Sequence, residues 1–362
     1  LSEGQPVADA SVDAAGTAAE VRVDVRKDGA GVTHRNGEAR AYLYAGGAFP
    51  GPVHAEAGSR RADGRQRGRG FPVAQVLDNL PTSIDYAAIG FQITPKFSFF
   101  AGKQSTVYGG IEFDLNPIEV YQYCDMLEYM QNFLTGVDFA YWITDNHELQ
   151  FQIVDSRNGS FEEMFGQVDP GIKPAKTPLG YTLNWNGSFL ENMINTRWSV
   201  SVFHDATNKN MYYYALGNQL NLKRFHMYFD FMYSREELDR KGIISRMGYK
   251  AGFDNRALNT RYMSLVAHFN YRIRPKINIF LKGMYETASV TKSNQEYAKG
   301  KYSTSWGYIG GIEYYPMREN LHFFLTYVGR SFDYTQCAKT LGMSDSNPQR
   351  ISAGLIYQIP IF

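Results

Sequence analysis

Residues 262–287 read YMSLVAHFNYRIRPKINIFLKGMYET. Before Pro275 every second residue is apolar: Met263, Leu265, Ala267, Phe269, Tyr271 and Ile273. The residues between them are mixed: Tyr262, Ser264, Val266, His268, Asn270 and Arg272. After Lys276 the pattern restarts. Ile277, Ile279, Leu281, Gly283 and Tyr285 alternate with Asn278, Phe280, Lys282, Met284 and Glu286. A period of two marks β-strand, and Arg274-Pro275-Lys276 joins two such strands in a hairpin. Each run exceeds the usual strand of about five or six residues. Each reaches the roughly nine to eleven that cross a bilayer at a tilt.

The same reading, carried outward, finds thirteen segments, near 83–93, 97–104, 133–144, 149–157, 179–189, 196–205, 211–221, 224–234, 262–273, 277–288, 304–316, 321–334 and 350–362. Short connections at 94–96, 145–148, 190–195, 222–223, 274–276 and 318–320 alternate with longer ones at 105–132, 158–178, 206–210, 235–261, 289–303 and 335–349. The third of the longer set is modest. Alternation of this kind is that of an up-and-down barrel, with periplasmic turns at one end and extracellular loops at the other. The fold class expected is therefore an all-β, antiparallel transmembrane barrel. A closed barrel with both termini periplasmic needs an odd number of further strands before the first segment, and three would make sixteen. A soluble β-sandwich that stacks carbohydrate on exposed Tyr and Trp is the alternative, and it would bury the apolar set instead of exposing it.

Composition agrees. The 362 residues carry 37 basic and 36 acidic side chains, which gives no basic excess for a nucleic-acid partner. Aromatic residues are 15%, and 34 glycines accompany them. No long apolar run suggests a transmembrane helix. Two cysteines, Cys124 and Cys337, rule out a disulfide scaffold and a four-cysteine zinc site. They fall in long loops and are read as free thiols, with a disulfide as the alternative. The seven histidines form no HExxH, and no nucleophile elbow is present, so neither enzyme activity, cofactor nor metal is expected.

Residues 1–75 stand apart. The first 70 positions hold nine Arg, one Lys, 26 Ala or Gly and three aromatics, and no secretory signal pattern is read there. A flexible Ala/Gly/Arg segment and a stretch translated out of frame are both open readings. Either way the barrel domain is placed at 76–362.

Within the connection after residues 97–104, Asn116-Pro117-Ile118-Glu119 matches a capped helix start, with Pro at the first helical position. The helix is expected to continue to about Gln131. Glu112, Asp114, Glu119, Asp125 and Glu128 make this loop acidic. Folded into a lumen, such carboxylates would concentrate cations and repel anions. The polar alternate set of the strands supplies wall candidates: Lys103, Arg197, His226, His268, Arg272, Lys282, His322 and Arg330, with Asp138, Asp230, Glu286 and Glu313 among them. Tyr141, Trp142, Trp198, Trp306, Tyr308, Tyr314 and Tyr327 are candidates for the aromatic girdles.

The run Phe99-Phe100-Ala101-Gly102-Lys103-Gln104, then Tyr108 through Ile118, then Phe133-Leu134-Thr135-Gly136-Val137, resembles the phosphate-selective porin O and P family in the form found in Bacteroidetes. The ending Ile356-Tyr357-Gln358-Ile359-Pro360-Ile361-Phe362 fits the same class. The resemblance covers about 72–362. It implies a sixteen-stranded barrel in outer-membrane lipid, a homotrimer, passing small hydrophilic solutes or ions, in some members phosphate and other anions. The acidic loop and the lack of a basic ladder depart from those anion-selective members. The last strand departs too, because its apolar set runs one residue out of phase with Phe362.

Overall fold

The structure is a computed structural model that describes residues 86–317 and 321–357, with the backbone of two further strands, β1 (Asp24–Arg26) and β2 (Arg40–Gly46). Most of the 1–75 segment, the turn expected at 318–320 and the terminal Phe362 lie outside the described residues. The remaining strands are β3 (Tyr86–Thr94), β4 (Phe97–Ser105), β5 (Phe133–Thr144), β6 (His147–Asp155), β7 (Leu179–Phe189), β8 (Ile194–Ala206) and β9 (Lys209–Asn221). They continue as β10 (Phe225–Leu238), β11 (Leu258–Arg274), β12 (Ile277–Val290), β13 (Gly300–Tyr314), β14 (Leu321–Tyr334) and β15 (Gln349–Tyr357). β3 to β15 are the thirteen segments expected from the alternation, in the same order. All fifteen strands form one sheet in chain order, antiparallel from β2 onward, with β1 parallel to β2. Among the described residues β15 pairs only with β14.

Burial runs opposite to that of a water-soluble sheet. Phe269, Tyr271 and Ile273 are exposed, and Leu281 is 64% exposed, although all are large and apolar. On the alternate positions of the same two strands, Ser264, Val266, Lys282 and Glu286 are buried. Exposed apolar area in water costs roughly 25 cal/mol per Å², so an exposed apolar belt that continues over most of the described strands, as on β5 to β15, is stable only against lipid. This overturns the soluble-sandwich alternative. The outward set includes Tyr141, Trp198, Trp306, Tyr308, Tyr314 and Tyr327. Trp142 does not join the girdles: it alternates with Tyr141 and faces inward.

One connection differs from expectation. β8 and β9 are joined by Thr207 and Asn208 alone, with Asn208 in the left-handed region at φ 57°. The 206–210 link is thus a two-residue hairpin turn. Both strands run 13 residues, so they absorb the length that a loop would otherwise hold.

The sheet curls around its own loop, residues 106–132. The Val107 amide donates to Gln152 on β6 at 3.1 Å, and the Gly109 amide to Ser199 on β8 at 3.1 Å. The Tyr121 hydroxyl donates to Glu313 on β13 at 2.7 Å, and Arg350 on β15 donates to the Tyr121 carbonyl at 3.1 Å. Only a strongly curved sheet brings β6 and β15 to one loop.

Candidate functional site

The inward loop is built from single turns rather than the long helix expected at 116–131. They are α1 (Ile111–Asp114), a 3₁₀ turn (Pro117–Glu119) and α2 (Asp125–Glu128). The Asn-Pro signal does act locally, since Asn116 Oδ1 accepts from the Ile118 amide at 3.2 Å. Propagation fails where the wall takes backbone groups that a helix would pair within itself. Glu286 on β12 accepts from the Asp125 amide at 2.5 Å, and Arg350 on β15 holds the Tyr121 carbonyl. Ahead of that stretch, Asp230 on β10 accepts from the Ile111 and Glu112 amides at 2.9 and 2.8 Å. Glycine permits this approach: a β-carbon on Gly110 would lie 2.4 Å from the Asp230 carboxyl carbon.

Three of the loop acids meet three of the wall bases. Lys282 Nζ lies 2.5 Å from Glu112, which also accepts from the Tyr228 hydroxyl at 2.7 Å and the Cys124 amide at 3.4 Å. Arg330 reaches Asp125 at 2.9 Å and Glu286 at 2.7 Å. Arg197 reaches Asp114 at 3.5 Å. Glu112 is fully buried, so it does not project into a water-filled constriction as the acidic-loop expectation had it. Asp114 and Glu119 remain exposed, and Glu128 is half-buried. Partial desolvation by the surrounding barrel raises the Glu119 and Glu128 carboxyls above their usual range, reinforced by Glu313 for the first and Asp125 for the second.

The other wall candidates disperse. His268 stacks on Tyr228, with ring centroids 4.9 Å apart. Arg272 stands at the short-turn end, its guanidinium 4.5 Å from the Tyr315 ring. His322 faces Glu313 at 4.0 Å, and His226 is exposed beside Asn221. Lys103 belongs to the outward set with Phe97, Phe99 and Ala101, opposite Ala87 and Thr135, and so is not on the lumen wall. Both cysteines are free thiols, Cys124 buried and Cys337 half-buried.

The lumen has two unlike halves. Toward β9–β14 it is packed with apolar side chains: Met126, Leu127 and Met130 of the loop lie in one cluster with Tyr213, Met232 and Met284 of the wall. A second loop covers this half. It carries α4 (Ile243–Lys250), following α3 (Phe161–Phe165) in the chain. Arg246 places its guanidinium 4.1 Å from the Tyr129 ring, and Arg240 binds Asp205 at 2.6 Å. Toward β5–β9 a cavity of about 360 Å³ remains, lined by Asp114, Trp142, Asp145, Glu148, Asn186 and Arg197 among others.

Uncharged amides organise that open side. Asn186 donates to Glu148 at 2.8 Å and accepts from Arg197 at 3.3 Å and from Asn184 at 3.0 Å. Asn195 donates to Gln219 at 3.3 Å. A search for charge alone misses these residues. Their signal is alternation: Asn184, Asn186 and Ser188 are successive members of the polar set of β7.

Comparison with known proteins follows the fold. The outer membrane channel DcaP of Acinetobacter baumannii superposes with TM-score 0.51 at 12% identity, covering 78% of each chain. OmpT of Vibrio cholerae gives 0.48 at 10% identity, covering 76% of this chain and 80% of that one. An anion-selective porin from Comamonas acidovorans gives 0.46 at 6% identity, covering 76% and 77%. No curated protein matches the chain. The profile of the phosphate-selective porin O and P family matches residues 20–359, which extends the resemblance well before its expected start at 72. The protein is an outer-membrane channel with the porin barrel, and it belongs to the phosphate-selective porin O and P family.

Proposed function

We propose that the channel passes small hydrophilic solutes and ions by passive diffusion along the β5–β9 wall, with a preference for cations. The observation that carries this reading is the charge of the open cavity. Asp114, Asp145 and Glu148 line it against Arg197, which is already shared between Asp114 and Asn186. A phosphate path needs cations free to face the solute. Lys282 and Arg330 each face a carboxylate of the loop instead. The excess of negative charge raises local cation concentration in a low-dielectric surround.

The test is the reversal potential of single channels in a planar bilayer under a salt gradient. A cation-selective potential is expected, and it should fall in Asp114→Asn/Glu148→Gln. An anion-selective potential would overturn the proposal and return the phosphate role that the family description carries. The preference should also fade with acidification. Protonation of Asp114, Asp145 and Glu148 removes the negative charge that lines the cavity. Assembly as a homotrimer belongs to the same proposal, and native mass in detergent would show three copies.

A further inference from the structure

The amide-lined cavity is more specific than a passage for water and ions requires. An Asn or Gln side chain offers two donors and an acceptor, the complement of a hydroxyl group, which is both donor and acceptor. A charged wall offers one kind only. Here the amides stand on three adjacent strands. Asn186 lies on β7, and Asn195 and Gln219 on β8 and β9, facing the same space with Ser188 and Thr196. Beyond the bond between them, Asn195 and Gln219 keep donors and an acceptor for a solute. Arg197, in the same lining, is buried, and its Nε finds no partner in the protein. Unpaired buried donors are costly, and a solute hydroxyl that reaches one recovers that loss. Trp142 adds an aromatic surface to the lining. At about 360 Å³ the cavity lies in the range of small-molecule sites.

We propose that this cavity is a binding subsite for a neutral polyhydroxylated solute of monosaccharide to disaccharide size, held by the β7–β9 amides on its way through the channel. The charged groups at the cavity fit the same ligand. Asn186 fixes Glu148, and Asp114 and Asn186 fix Arg197, so each is held in place to offer its remaining hydrogen-bonding capacity to hydroxyls. The inference rests on the porin reading, since the subsite is reached through the lumen.

The experiment is single-channel recording in potassium chloride with glucose or maltose added to one side. A block that saturates with sugar concentration is expected. In Asn195→Leu/Gln219→Leu the block should weaken about tenfold, the loss expected for one to two neutral hydrogen bonds. Gln219→Ala alone, a smaller change, should weaken it in the same direction if the double variant does not insert. A current that falls only with the conductivity of the sugar solution would overturn the proposal, as would a block equally strong in all variants. Saturable block by lysine but not by glucose would assign the cavity to ammonium-bearing solutes and overturn it too. No channels at all would instead sink the porin reading.

Discussion

Replacing Lys282 with methionine is expected to loosen the inward loop and raise single-channel conductance. The substitution leaves the Glu112 carboxylate fully buried beside the Tyr228 hydroxyl and the Cys124 amide, with its ion-pair partner gone. Breaking a buried pair by removing one partner costs about 3–5 kcal/mol, because the remaining charge is uncompensated. The barrel wall cannot move to relieve that cost, since β12 is paired on both edges. The loop can, by carrying Glu112 into water. Larger and noisier current steps should result. A second readout is chemical. Cys124 sits in the same loop with no exposed surface, and burial pushes its thiol well up. In a Cys337→Ser background, Cys124 should resist a thiol reagent in the parent and react in Lys282→Met. Glu112→Gln/Lys282→Met removes both charges and should restore the quiet, protected state, as buried pairs replaced together are often neutral. Unchanged conductance with Cys124 still protected would show that the pair does not hold the loop.

The second large effect is expected on the outer face. Leu281 is 64% exposed near the middle of the lipid-crossing part of β12, opposite Phe269 and Gly310. Arginine near the bilayer midplane of a barrel costs about 2–4 kcal/mol, falling toward zero at the interfaces. Leu281→Arg should therefore cut the yield of folded barrel, read as the fraction whose gel mobility shifts on boiling. Leu281→Ala, which only trims apolar area, should fold at near-parental yield. If Leu281→Arg folded at the parental yield, the face would not meet hydrocarbon.

Much of the barrel was legible because its two faces differ in chemistry at every second position. The contrast between Leu281 and Lys282, or Ile351 and Arg350, survives in the linear string. What was not legible depends on register or on distant partners. Lys103 follows Gly102 near a strand end, and only its pairing with Ala87 and Thr135 puts it on the outward set. Tyr141 and Trp142 both suited a girdle, yet a period of two places one of them inside. The loop acids were visible as a cluster and the wall bases as a scatter. That Glu112 meets Lys282 and Asp125 meets Arg330 follows from curvature, which a strand pattern does not encode. The helix failed for the same reason. Its start signal is local, whereas Glu286 and Arg350 take the Asp125 amide and the Tyr121 carbonyl from strands far along the chain.

The apolar packing on the β9–β14 side of the lumen separates scaffold from filter. Because that half is filled and tied down, the number of strands no longer sets the bore. On the path proposed above, the bore is the gap left along a strip of β5 to β9. Substitutions on that strip can change which solutes pass while the plug and its ion pairs stay as they are. Descendants of this barrel can diverge in diet without rebuilding their architecture.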